Sequence, residues 1–250
     1  MNKVTLITGA SSGIGHATAI KFAKLGYSLI LCGRRAERLE ELRNELSAKV
    51  QVITLVFDVR NRVEAEKQLG RLSDEWKNID ILINNAGNAH GLSPLHTGDP
   101  DDWDAMMDGN VKGLLYVSRA IIPQMVARHS GHIINLSSIA GKQTYANGTA
   151  YCASKKAVEA ISEGMRLELT EFGIKVTNIA PGAVQTEFSE VRFKGDTERA
   201  GKVYEGYEAL KPEDIADAIV YAVTAPDRVT IADMVIYPKA QSSPGMIYRS

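Results

Sequence analysis

The stretch "KVTLITGASSGIGHATAIKFAKLGYSLILCGRR", residues 3–35, decides how the chain folds. The apolar run "KVTLIT" reads as a strand, and "TGASSGIG", Thr8 to Gly15, follows at once. "HATAIKFAKLG" then carries a helical pattern, and "SLILCG" reads as a second strand. Glycines at 9, 13 and 15 permit a tight turn. They also let a pyrophosphate approach the backbone N–H groups at the helix N-terminus. The spacing is G-x3-G-x-G rather than G-x-G-x-x-G. A glycine-rich turn can also be plain punctuation, but this one lies after the first strand and before a helix, which favours the nucleotide reading.

The same alternation continues down the chain. Further strand candidates are "VQVITLVF", "DILIN", "HIINLS", "KVTNIA" and "DMVIY". Most are nearly continuous apolar runs, the pattern of strands covered on both faces. Helical candidates lie between them, such as "ERLEELRNEL", with Leu39, Leu42 and Leu46 on one stripe. The expectation is an α/β fold: a doubly wound seven-stranded parallel sheet with helices on both faces. At 250 residues it fits one large domain over positions 1–250. Gln185 to Leu210 reads as irregular, rich in charge and glycine. The helix at "KPEDIADAIVYAV" follows, with Pro212 in the first turn and Glu213 and Asp214 at the positive end.

Composition narrows the functional classes. The hydrophobic fraction of 44% supports a sizeable core, and the formal net charge of -1 argues against nucleic-acid binding. No apolar run is long enough to span a bilayer, and no basic amphipathic helix reads as a membrane anchor. The opening "MNKVTLITGASSGIG" enters a strand directly, without a signal-peptide pattern. The two cysteines, Cys32 and Cys152, read as free thiols of a reducing compartment. A cytoplasmic protein is expected.

The end of the second strand bears on which nucleotide is held. Binders of NAD usually carry an acid there for the ribose 2′-hydroxyl. Here the chain reads "LCGRRAERLEEL", with Arg34 and Arg35 and no carboxylate before Glu37. A guanidinium can clamp a 2′-phosphate, which points to NADP; the alternative is two solvated arginines at a helix start. Asp58, in "FDVRN", can accept from an adenine amino group or cap a helix, and Val59 adjoins it. "INNAG" ends the fourth strand: Asn85 can bond backbone or ribose, and Ala86 and Gly87 leave room for a cofactor.

Tyr151 and Lys155 lie one helical turn apart in "YCASK". A free phenol has a pKa of about 10, so roughly one in a thousand is ionised at neutral pH. A nearby ammonium favours the phenolate, and the positive ring of an oxidised nicotinamide adds to that. Lowering the pKa by about three units needs about 4 kcal/mol of differential interaction. Tyr151 would then serve as general base for alcohol oxidation and general acid for carbonyl reduction. Lys155 can also hold ribose hydroxyls. Ser138, at the end of the fifth strand, can stabilise a developing alkoxide.

"TGASSGIG", "NNAG", Asn110 in "GNVKG", Ser138, "YCASK" and "APG" at 180–182 occur in one order along the chain. Together they resemble the short-chain dehydrogenases/reductases. That resemblance implies a Rossmann fold and catalysis by Asn110, Ser138, Tyr151 and Lys155, with Asn110 anchoring a water of the proton relay. It implies cofactor contacts from Gly9, Ser11, Ser12, Gly13, Ile14 and Gly15. It further implies a nicotinamide amide meeting Pro181, Gly182, Val184 and Thr186. "GRRAERLEELRNEL", "DVRNR", "EWKNIDILINNAG", "TEFSEVRFKGD" and "LKPEDIADAIVY" are similar to the NADP-dependent 3-hydroxy acid dehydrogenases, whose members are typically homotetramers. The resemblance implies substrates such as serine, L-allo-threonine or 3-hydroxypropionate.

A 3-hydroxy acid carries a carboxylate beside its reacting carbon. Residues 185–210 are expected to cover the substrate, and they contain Arg192 and Lys194. Arg192 is the first choice for that carboxylate because its guanidinium is planar and bidentate; the alternative is that both cations are solvated or serve a subunit contact. The five histidines and two cysteines have no ligand spacing, so no metal is expected. Trp76 and Trp103 read as packing residues. The stripe Val158, Ile161, Met165 and Leu169 is either core or subunit interface. Two other functions stay open: a carbonyl reductase of neutral ketones or aldehydes, and a non-catalytic NADP-binding sensor.

Overall fold

Every side chain of the first strand, β1 (Val4–Thr8), is buried, which makes it the centre around which the rest is wound. The computed structural model describes residues 3–250. After β1 come α1 (Gly13–Lys24), β2 (Ser28–Gly33), α2 (Ala36–Leu46), β3 (Val52–Val56), α3 (Arg62–Gly70), α4 (Asp74–Lys77) and β4 (Ile79–Asn84). The second half runs through α5 (Pro100–Met107), a π-helical turn at Asp108–Lys112, α6 (Gly113–Ala127), β5 (Gly131–Leu136), α7 (Ile139–Lys142), α8 (Thr149–Leu169) and β6 (Ile174–Pro181). It closes with α9 (Phe188–Arg192), α10 (Thr197–Lys202), α11 (Pro212–Thr224), β7 (Asp233–Ile236) and a small antiparallel pair, β8 (Gln241–Ser243) and β9 (Met246–Ile247).

Seven parallel strands form one sheet in the order β3-β2-β1-β4-β5-β6-β7. The direction of winding reverses between β1 and β4, and a crevice opens there beyond the carboxyl ends of the strands. Successive side chains of a strand leave opposite faces, so the apolar runs feed two cores. Leu6, Ile30, Cys32, Leu82, Ile133 and Val176 pack against Val117 and Ile121 of α6 and Val158 and Met165 of α8. Ile7, Leu29, Leu31, Ile81, Ile83 and Ile179 pack against Phe22 of α1, the three leucines of α2 and Ile215 and Ile219 of α11. Full burial of each such side chain contributes about 1.5–3 kcal/mol. The edge strands differ: β3 is only half-buried, and β7 alternates exposed and half-buried positions.

The stripe on α8 is core, since Val158, Met165 and Leu169 are buried and Ile161 packs beside them. Trp76 is buried in the same core, and Trp103 packs in a smaller cluster around Met106, Tyr151 and Cys152. Pro212 opens α11, and Asp214 accepts from the Lys211 N–H at 2.8 Å. Residues 185–210 are not irregular throughout, because they hold α9 and α10. The two ends of this excursion are pinned together: Gln185 N–H donates to the Leu210 carbonyl at 2.8 Å, and Leu210 N–H to Ala183 at 3.0 Å.

Candidate active site

The carboxyl ends of β1, β4, β5 and β6 surround a cavity of about 630 Å³. At one end of it lies the glycine-rich turn. Gly9 and Gly13 have φ of +66° and +54°, where a side chain would be strained. A Cβ on Gly15 would stand 2.3 Å from the Gly9 carbonyl oxygen. Ser12 is the N-cap of α1, but its side chain caps none of the first N–H groups, which helical geometry leaves without an intrahelical partner. That is the arrangement an anion requires.

The turn is stitched to β4. Thr8 Oγ1 accepts from the N–H groups of Asn85 and Ala86, both at 3.0 Å. Asn85 Nδ2 donates to the carbonyls of Thr8 at 2.9 Å and Gly9 at 3.2 Å. Of the two roles open to Asn85, the structure therefore displays the backbone one. Gly9, Ser11, Ser12, Gly13, Ile14, Asn85, Ala86, Gly87 and Val59 all line the cavity, whereas Gly15 lies behind the turn.

Arg34 and Arg35 both line the cavity but differ in their engagement. Arg35 Nε donates to Ser11 Oγ at 3.2 Å and Nη2 to Ser12 Oγ at 2.6 Å, while Nη1 pairs with Glu187 at 2.8 Å. Arg38 pairs with the other Glu187 oxygen. Arg38 and Arg35 together hold the Glu187 carboxyl below its ordinary range. Arg34 is largely exposed, 3.8 Å from Asp58. Asp58 is outside the cavity wall, and Arg60 occupies both of its oxygens at 2.6 to 3.1 Å. An adenine amino group would share an oxygen that is already bonded.

At the other end, Tyr151 and Lys155 project from one side of α8, and both are buried. Lys155 Nζ donates to the Leu136 carbonyl, at the end of β5, at 2.9 Å. Burial pulls the Lys155 pKa down to about 8. The same desolvation pushes Tyr151 well above its ordinary value, with the Tyr145 phenol adding to the rise; a hydrogen bond from Ser138 and the charge of Arg192 oppose it. In the protein's own groups the balance thus favours the neutral phenol, so the expected depression would depend on the positive nicotinamide ring of a bound cofactor. The reason is physical: the phenolate would lose its water, and the ammonium is turned to a carbonyl.

Ser138 caps the short α7; its Oγ accepts from Ala140 N–H at 3.2 Å and donates to the Pro181 carbonyl at 3.4 Å. Asn110 sits buried in the π-helical turn, outside the cavity wall. Both protons of its amide are used, to the Asn88 carbonyl at 2.8 Å and Ser154 Oγ at 2.9 Å. Its Oδ1 accepts from Asn88 N–H at 2.7 Å. A water in the expected relay would therefore donate to an oxygen of Asn110 rather than accept from its amide.

Pro181, Gly182, Val184 and Thr186 form the wall above β6. Thr186 lies against the glycine turn, since a Cβ on Gly13 would come within 3.2 Å of its methyl. Phe188 packs on the Tyr151 ring with centroids 5.7 Å apart. Arg192 enters the cavity, donating from Nη2 to Tyr145 Oη at 3.0 Å and from Nε to the Gly91 carbonyl at 3.2 Å. Lys194 does not enter: it pairs with Asp99 at 3.2 Å and Asp102 at 2.9 Å. Among the described residues, no salt bridge reaches Arg192.

Five residues that the sequence reading does not single out also build the site: Arg38, Tyr145, Glu187, Phe188 and Gln241. Gln241 reaches back from β8 to accept from Ala183 N–H at 2.9 Å. Tyr145, six positions before Tyr151, was the one with a visible signal, an aromatic in the same loop. Cys152 points into the packed cluster, and burial raises its pKa. Among the described residues, no group of His, Cys, Asp or Glu is placed to hold a metal.

Residues 3–197 match the family described as short chain dehydrogenase. The chain is 45% identical over 249 residues to the NADP-dependent 3-hydroxy acid dehydrogenase YdfG of Salmonella typhi, covering 99% of this chain and 100% of that one. It is 40% identical to the NADP-dependent 3-hydroxy acid dehydrogenase of Schizosaccharomyces pombe, covering 99% and 96%. A solved structure described as the closed form of serine dehydrogenase complexed with NADP+ superposes with a TM-score of 0.93 at 44% identity, covering 99% and 100%. Levodione reductase superposes with a TM-score of 0.86 at 25% identity, covering 96% and 97%.

Proposed function

From its membership of the short chain dehydrogenase family, to which this chain belongs, we propose that it is an NADP-dependent oxidoreductase of small 3-hydroxy acids and their 3-oxo acids or semialdehydes. The carrying observation is Arg192: a guanidinium in the cavity, beside Tyr151, with no carboxylate partner among the described residues. A substrate carboxylate would complete it.

The residues present fit a dinucleotide. The crowding at Gly15, the uncapped start of α1 and the two arginines beside the turn are what a pyrophosphate and a 2′-phosphate require. Gly9, Ser11, Ser12, Gly13 and Ile14 would hold the pyrophosphate, with Gly15 letting the turn close behind them; Arg34 and Arg35 would hold the 2′-phosphate, and Val59, with an Asp58 oxygen shared with Arg60, the adenine. Asn85 would brace the turn through its amide, Ala86, Gly87 and Lys155 would hold ribose, and Pro181, Gly182, Val184 and Thr186 the nicotinamide amide. Bound NADP would supply the hydride acceptor for oxidation, and NADPH the hydride for reduction.

Tyr151 then takes the hydroxyl proton in oxidation and returns it in reduction. Ser138 orients the substrate oxygen. Lys155, with its pKa lowered to about 8, stays mostly charged at neutral pH and biases the phenol toward ionisation once a positive ring lies nearby. Asn110 positions Asn88 and Ser154 through its three hydrogen bonds. Residues 185–210 cover the substrate. A homotetramer in the cytoplasm belongs to the same reading; among the described residues no helix is long and apolar enough to cross a membrane.

One observation favours a second substrate class. Phe188, Val191, Phe193, Tyr204 and Ile247 make much of the wall apolar, as a neutral ketone would prefer. Initial rates with serine, L-allo-threonine, 3-hydroxypropionate and neutral alcohols of matched size, each with NADP and NAD, decide between them. Preference for the acids with NADP is expected. Equal rates on neutral alcohols transfer the assignment to a carbonyl reductase. Tyr151→Phe should abolish turnover while NADPH fluorescence titration changes little; substantial residual turnover would remove the tyrosine from its role.

A further inference from the structure

We propose that Glu187 tempers the preference for 2′-phosphorylated nucleotides by holding arginines that a 2′-phosphate would use; this rests on the NADP reading above. Glu187 is at the start of the covering segment, directly after Thr186, which packs on the glycine turn. Its carboxylate bridges Arg35 and Arg38, two residues on the far side of the groove. Arg35 is also the residue that grips Ser11 and Ser12 inside the phosphate cradle. A carboxylate is thus held at the cradle's edge by two guanidiniums, with the bonding pattern that a phosphate oxygen would adopt.

Competition follows from crowding of like charge. Arg35 directs Nε and Nη2 to the two serines and one N–H of Nη1 to Glu187. A 2′-phosphate that bonds Arg35 without disrupting the serines must share Nη1 with the Glu187 carboxylate, and two anions on one nitrogen repel. A nucleotide without that phosphate leaves the bridge intact. Glu187 therefore weakens 2′-phosphorylated nucleotides selectively, and it couples their arrival to release of one anchor of residues 185–210. The bridge is partly exposed, with side chains 38–47% accessible, so its competing effect is modest. Removing it should tighten binding by about fivefold, the upper end for an exposed ion pair.

The test is calorimetric titration of the full chain with adenosine 2′,5′-bisphosphate and with adenosine 5′-monophosphate, at low salt. Wild type, Glu187→Gln and Glu187→Asp are compared. Glu187→Asp keeps the charge but withdraws it from the guanidiniums. The expected result is tighter bisphosphate binding in both variants, with monophosphate binding unchanged. Bisphosphate affinity in Glu187→Asp equal to wild type would mean that a distant field acts rather than occupancy, and would overturn the proposal. Equal tightening of both nucleotides, or no change in either variant, would overturn it too. If wild type does not prefer the bisphosphate to the monophosphate, the NADP reading and this inference fall together. Thermal unfolding of each variant checks that the fold is intact.

Discussion

The Arg192 guanidinium carbon lies 5.7 Å from the centre of the Tyr151 ring and equally far from that of Tyr145, whose hydroxyl it binds at 3.0 Å. Lys194, two residues on, is instead held by two aspartates. Arg192→Ala should therefore lower kcat/KM on serine or 3-hydroxypropionate by about 2–4 kcal/mol, if the ion pair forms away from water. A neutral alcohol of similar size should lose far less. Parallel losses on both substrates would mean that Arg192 only anchors the loop through Gly91 and Tyr145.

The two arginines after β2 should behave differently. Arg34 touches little besides Asp58, so Arg34→Ala should raise the KM for NADP while leaving that for NAD nearly unchanged. Arg35 also braces Ser11 and Ser12, so Arg35→Ala should weaken both nucleotides, NADP more. Equal losses for NADP and NAD in Arg34→Ala would exclude its reading of the 2′-phosphate. Steady-state kinetics with each nucleotide varied supplies the comparison.

Gly15→Ala is expected to damage the cradle rather than the sheet. The new methyl would meet the Gly9 carbonyl oxygen at 2.3 Å and Asn85 Nδ2 at 2.6 Å. Both belong to the stitch between β1 and β4, so the turn must shift. Nucleotide affinity should fall by an order of magnitude or more, about 1.4 kcal/mol. A titration indistinguishable from wild type would show that the turn yields without cost.

His132 gives a pH signature of stability. Burial, then the charges of Lys175 and Lys3, lower its pKa to about 3, and its ring nitrogen bonds Thr177 Oγ1 at 2.8 Å. In the unfolded chain the value returns to about 6.5. Above that pH the residue is neutral in both states and contributes nothing to the pH dependence. Below it, the unfolded state takes a proton that the folded state refuses, so stability falls as pH falls toward the folded value. The slope approaches about 1.4 kcal/mol per pH unit. Urea unfolding at several pH values between 7 and 4 should show a shallower decline for His132→Gln than for wild type. Parallel declines would place the acid sensitivity elsewhere.

All seven strands were legible as apolar runs, and in five of them the run is nearly unbroken because both faces are buried. The glycine turn and the Tyr151–Lys155 pair were legible because their geometry is local: a positive φ, a helix start, one helical turn. β3 and β7 lie at the sheet edges, yet their sequences look much like the central ones, so their exposure was not readable. Nor were α9 and α10, since helices of five and six residues owe their stability to tertiary packing rather than propensity.

The sequence by itself determined the winding of the chain and the glycine turn, and it singled out the candidate reacting side chains, all written in spacings of a few residues. Only the tertiary structure decided what those groups feel. Arg192 and Lys194 are equivalent on paper until Asp99 and Asp102, nearly a hundred residues earlier, claim one of them. Glu187 means nothing until the fold sets it against Arg35 and Arg38. The direction of the Tyr151 pKa likewise depends on how much water the assembled walls exclude. Charge and solvation act through space, and the distances that govern them exist only once the chain has folded.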